Sequence, residues 1–152
     1  MRKFLLLIFS LLLLTISSGI SAQSSEAVYD STLAKRLGGN ENGMKMFHLV
    51  LLTNGANADL PKDVQDSLFK GHMDNIHRLA DEGFLSLAGP FGKNDRYRGL
   101  FIFNTATAEE TERLVKTDPA VEGGALGYEI YPWYGSAAVN EIPNIHKRIT
   151  KK

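Results

Sequence analysis

The sequence predicts an α+β domain with the element order β-α-β-β-α-β, and three observations carry that reading. Short runs rich in Phe, Val, Leu and Ile are bounded by glycine, asparagine and proline, as strands are. Two longer stretches instead repeat their apolar residues at helical spacing. The two kinds of segment alternate in this order within a stretch of ordinary single-domain length.

The first 22 of the 152 residues read as a leader rather than part of the fold. Arg2 and Lys3 precede an almost unbroken apolar run from Phe4 to Ile16, and small residues lead up to Ala22, where cleavage is expected. The run falls short of the roughly 20 apolar residues a spanning helix needs. An uncleaved N-terminal anchor is the alternative. Export to the periplasm or the medium follows from the leader, with no membrane attachment after cleavage. Residues 23–43 form an N-terminal extension. Within it, Tyr29 to Leu37 reads as a short helix stopped by Gly38-Gly39 and packed through Tyr29, Leu33 and Leu37.

The domain is expected over residues 44–135. Met44 to Thr53 is the first strand, between Gly43 and Asn54-Gly55. Pro61 suits the first turn of a helix that runs to about Glu82 and stops at Gly83. Phe84 to Phe91 is a second strand, interrupted by Gly89-Pro90, and Arg98 to Asn104 is a third. Thr107 and Glu110 form a capping box for a helix through Thr117, which Asp118-Pro119 ends. Tyr128 to Trp133 is the last strand, and residues 136–152 are a polar tail with an amphipathic hint at Ile142, Ile145 and Ile149. This is the ferredoxin-like split arrangement, a four-stranded antiparallel sheet with both helices on one face. Both sides of the first strand are largely apolar, so the second face also wants cover, and a homodimer pairing sheet on sheet supplies it.

Composition narrows the function. The chain has no cysteine, which excludes disulfides and thiol chemistry. Losing Arg2 and Lys3 takes the basic count from 17 to 15 against 17 acidic residues, a balance with no footprint for nucleic acid. No HExxH pattern, dinucleotide fingerprint or nucleophile elbow occurs, so no metal or cofactor is expected. His72 lies in the row Leu68, His72, Ile76, Leu79, whose spacings of four, four and three mark one helical face. Asp118 follows Leu114 by four on the inward face of the next helix. A carboxylate beside an imidazole fixes the ring's tautomer and favours its work as a general base. A buried structural pair, or an Asp118 that only caps the turn before Pro119, is the plainer alternative. His77, five residues from His72, is expected to point well round the helix. Gly89 and Pro90 read either as a strand end or bulge or as bare backbone on a pocket wall, and Arg98, Tyr131, Trp133 and Tyr134 either as its polar and aromatic rim or as sheet packing or a dimer contact.

The run Gly83-Phe84-Leu85-Ser86-Leu87-Ala88-Gly89-Pro90-Phe91 after His72, then Thr117-Asp118-Pro119, then Glu129-Ile130-Tyr131-Pro132-Trp133, resembles the YCII-related (YciI-like) family over about Met46 to Trp133. The resemblance implies a ferredoxin-like fold that dimerises into an α/β barrel, with a site at His72 and Asp118. It also implies kinship with small-molecule lyases and isomerases of the muconolactone-isomerase type. The leader, the segment from Tyr29 to Gly43 and the tail after Trp133 depart from the common pattern, and either of the last two is a candidate to cover or reshape the pocket. The expectation is an exported, YCII-like, small-molecule-binding homodimer with acid–base chemistry at His72 and Asp118. A non-catalytic binding or structural homodimer of the same fold is the alternative.

Overall fold

The computed structural model describes residues 28–57, 59–93 and 95–151; the expected leader, residues 1–22, lies outside them. Four strands form one sheet: β1 (Met44–Asn54), β2 (Leu85–Pro90), β3 (Tyr97–Phe103) and β4 (Leu126–Ser136). Their spatial order is β2-β3-β1-β4, and every neighbouring pair is antiparallel. With α2 (Lys62–Asp81) between β1 and β2 and α3 (Ala108–Val115) between β3 and β4, this is an α+β domain consistent with the ferredoxin-like arrangement.

Alternation along the strands sends Val50, Leu52, Leu85, Phe101, Phe103 and Leu126 to the helix side. There they meet Leu79 of α2 and Val115 of α3 in the core. Each apolar side chain of this size contributes about 1.5–3 kcal/mol on full burial. On the opposite face Trp133 tilts against Phe47, its cross-strand partner, with ring centroids 5.6 Å apart. Leu49, Leu51, Leu87 and Leu100 on that face are only half-buried.

Four elements differ from the sequence reading. The second helix stops at Val115, and Asp118-Pro119 opens a separate short helix, α4 (Pro119–Glu122). Asp118 is extended, as a residue before proline prefers, so it cannot continue α3. β4 runs from Leu126 to Ser136 because β1 pairs with it along its whole length, Met44 with Ser136 and Asn54 with Leu126. α1 (Ser31–Leu37) buries Leu37 alone, leaving Tyr29 and Leu33 exposed. Asp30 caps it from outside, which puts Tyr29 ahead of the helix, and its main contacts are with a 3-10 turn at Ala137–Glu141. The tail is ordered: that turn leads into α5 (Ile142–Ile149).

The two additions to the domain are joined. Asn140 donates to the Leu37 carbonyl at 3.0 Å and accepts from the buried Ser86 hydroxyl on β2. Arg36 pairs with Glu141 at 2.7 Å.

Candidate functional site

His72 reaches the interior because α2 turns one face, His72, Asn75 and Leu79, toward the sheet. The residue beside it, Gly71, lets α2 come close to α4. A Cβ at Gly71 would stand 2.8 Å from the Pro119 ring, so any larger residue there would push the two helices apart. Asn75 adds a polar tie across the same gap, accepting from Thr117 Oγ1 at 3.2 Å.

That approach brings Asp118 to His72. Its Oδ2 accepts from His72 Nδ1 at 2.6 Å, while Oδ1 accepts from the Ala120 backbone N–H at 2.9 Å and so caps α4. The Asp118 side chain is 1% exposed and that of His72 11%. An isolated carboxylate so deep would be prohibitively costly, and here each oxygen has a donor. The reading of Asp118 as a turn cap and the reading of it as a partner of His72 therefore describe the same residue. A carboxylate only accepts, so the proton sits on Nδ1 and the Nε2 lone pair is left over. The ring is fixed further by Phe101, stacked at 5.8 Å between centroids, and by Phe69, edge-on at 5.9 Å.

Among the described residues Nε2 has no hydrogen-bond partner, and no fully buried side-chain nitrogen or oxygen there lacks one. Nε2 is therefore not sealed off. His72 lines a cavity of about 470 Å³ between α2, the sheet and α5. That volume lies within the range of small-molecule sites. Leu52, Phe69, Ile76, Leu85, Phe101 and Leu126 give it an apolar body. Its ionisable liners are His72, His77, Arg98 and His146.

Gly89, Pro90 and Arg98 from the sequence reading all line this cavity, but Trp133 is not among the liners. Its parity on β4 matches that of Phe47, which turns it to the opposite face of the sheet. Tyr131 is exposed and donates to Glu129 at 2.7 Å, and Tyr134 accepts from Asn40 at 2.7 Å; neither lines the cavity. His77 does line it, although it is five residues from His72, because the cavity wraps around α2. His48 faces the helices, away from this site, and its Nδ1 lies 3.0 Å from Thr105 Oγ1. Among the described residues no group of three or more His, Cys, Asp or Glu is placed to hold a metal ion.

No family model matches the chain, and no curated protein matches it. Among solved structures it is similar to a 5-chloro-2-hydroxyhydroquinone dehydrochlorinase from Burkholderia phenoliruptrix AC1100, in complex with 2,5-dihydroxybenzoquinone. The identity is 19%, over 56% of this chain and 92% of that one, with a TM-score of 0.39. The likeness is loose, and the named substrate belongs to that protein.

The tail after Trp133 does cover part of the site, through α5, but sequence reasoning did not name the residues: Ile142, Pro143 and His146 close one wall of the cavity. Of the amphipathic hint at Ile142, Ile145 and Ile149, a helix forms but Ile142 alone of the three lines the cavity; Ile145 and Ile149 are exposed. Lys147 of α5 pairs with Asp81 at the end of α2 at 2.8 Å. The hydrogen bond from Lys147, then its charge, hold the Asp81 carboxyl below the usual carboxylate range.

Proposed function

We propose that this chain is a YCII-like small-molecule protein whose His72 acts as a general acid–base, with Asp118 orienting the ring and stabilising its charged form. One observation carries the reading: His72 is held through Nδ1 by a buried carboxylate at 2.6 Å while its other side borders a largely apolar cavity. A purely structural pair has no need of an open Nε2. In the reaction, Nε2 takes a proton from an activated C–H of the substrate, and the imidazolium donates through Nδ1 to Asp118. Returning that proton to another carbon is an isomerisation, and passing it to a departing group is an elimination. Small cyclic acids and lactones are the substrates to test first.

Incubating the purified chain in deuterated buffer with a panel of such acids and lactones tests this. Deuterium is expected to enter a panel member by mass spectrometry, and His72→Gln is expected to abolish the exchange while retaining the circular dichroism of the wild type. Exchange undiminished in His72→Gln removes the acid–base role.

We further propose a homodimer in which the sheets pair to form an α/β barrel. The half-buried Leu49, Leu51, Leu87 and Leu100, with Tyr131 45% exposed, support it as a continuous apolar surface. Light scattering that finds only monomer at micromolar concentration would count against it. Export is part of the same proposal, supported by the basic and then apolar start of the sequence.

A further inference from the structure

The ladder between β1 and β3 contains one irregularity, and it falls at the cavity. Leu52 pairs with Gly99 and Thr53 with Tyr97, so Arg98 is an extra residue with no partner on β1. Such a bulge re-aims a side chain that strict alternation would send elsewhere. Arg98 lines the cavity together with Leu52, Gly99 and Phe101 of the helix-facing side. Beside it Gly99 lets β2 come close, since a Cβ there would lie 2.7 Å from the Gly89 carbonyl oxygen.

Arg36, Arg78 and Arg96 donate to acceptors within the protein, while Arg113 and Arg148, though without a side-chain hydrogen bond or ion pair among the described residues, do not line the cavity. Arg98 makes no side-chain hydrogen bond or ion pair among the described residues. It is exposed at the cavity and permanently charged. No Asp or Glu lines the cavity, so nothing there neutralises it. Asp118 stands behind His72 with both oxygens occupied.

We infer that the cavity takes a small organic anion, an apolar ring carrying one carboxylate, with the Arg98 guanidinium as the carboxylate anchor. The inference rests on the proposed small-molecule role and names its substrate class. A planar guanidinium fits one carboxylate through two parallel hydrogen bonds. A phosphoryl group would ask for more positive charge, and no lysine or second arginine lines the cavity. The apolar liners take the ring.

Calorimetric titration of the full purified chain with benzoate and with its neutral isostere benzamide provides the test. Wild type is expected to bind benzoate more tightly than benzamide. Arg98→Gln is expected to weaken benzoate about ten- to hundredfold, the worth of a charge-assisted hydrogen bond, and to leave benzamide unchanged. Arg98→Lys, which keeps the charge without the fork, is expected to fall between them and guards against a misfolded glutamine variant. Equal binding of the two compounds, no binding of either, or full benzoate affinity in Arg98→Gln overturns the inference. His72→Gln separates the two proposals. Benzoate preference retained with deuterium exchange unaffected sinks the acid–base role and leaves the anion class standing. His72-dependent exchange on a neutral lactone without any benzoate preference does the reverse.

Discussion

Replacing Asp118 by Asn changes the polarity of one buried hydrogen bond at almost constant volume. The side-chain oxygen can still accept from the Ala120 N–H, which keeps the cap of α4. The other terminal atom becomes an NH2 facing His72 Nδ1, and two donors cannot share a hydrogen bond. The imidazole must therefore shift its proton to Nε2, turning the cavity side of the ring from acceptor to donor. A charge-assisted bond worth about 1.5–3 kcal/mol gives way to a neutral one worth about 0.5–1.5, a loss of about 1–2 kcal/mol. With a urea m-value of about 2 kcal/mol/M, the midpoint should fall by roughly 0.5–1 M. Asp118→Ala should cost more, about 2–5 kcal/mol, because the buried Ala120 N–H loses its acceptor along with the ring. Ring ¹⁵N shifts report the tautomer directly: wild type should show a protonated Nδ1 on His72, and Asp118→Asn a protonated Nε2. A variant with the wild-type tautomer and an unchanged midpoint would refute the claim that Asp118 orients the ring.

Two further perturbations probe the framework. Gly71→Ala places a Cβ 2.8 Å from the Pro119 ring, and the overpacking, about 1–3 kcal/mol, should outweigh the helix-propensity gain of about 1 kcal/mol. The melting temperature should drop and the His72 Nδ1 proton should exchange faster; a more stable variant would contradict the close approach of α2 and α4. The folded-state pKa of Asp81 lies below its ordinary value, so its tie to Lys147 is present above the ordinary carboxyl range and is lost as pH falls through the lowered value. Amide exchange in residues 142–149 should therefore accelerate in acid beyond its intrinsic trend. Asp81→Asn or high salt should produce the same small acceleration at neutral pH, as befits an exposed pair. Identical exchange in all these conditions would mean that Lys147 does not hold α5.

His72 was legible because its four, four, three row is a local property of one helix. Asp118 was legible as the end of its helix, from the pre-proline restriction, and as a partner for His72 or a turn cap. What the sequence did not show is that Asp118-Pro119 opens a separate helix and that one residue fills both places. The orientation of Arg98 depends on which residues of β1 it fails to pair with, a fact set by tertiary register. Trp133 shows the opposite case. Its parity could be inferred only once β4 was paired with β1, and that pairing turns it from the cavity to the other face. The wall supplied by Ile142, Pro143 and His146 shares only Ile142 with the apolar spacing of the tail, since it comes from the start of a short helix and one turn beyond.

The contacts of Asn140 and Glu141 with Leu37 and Arg36 give the cavity a remote hinge pin. α5 follows the 3-10 turn directly, so it cannot swing outward as a unit without straining bonds to a helix more than a hundred residues earlier in the chain. The free energy for opening that wall is therefore set in part by how firmly α1 is seated, not only by what α5 touches. A change on α1, far from every lining residue, would alter how quickly a ligand enters and leaves.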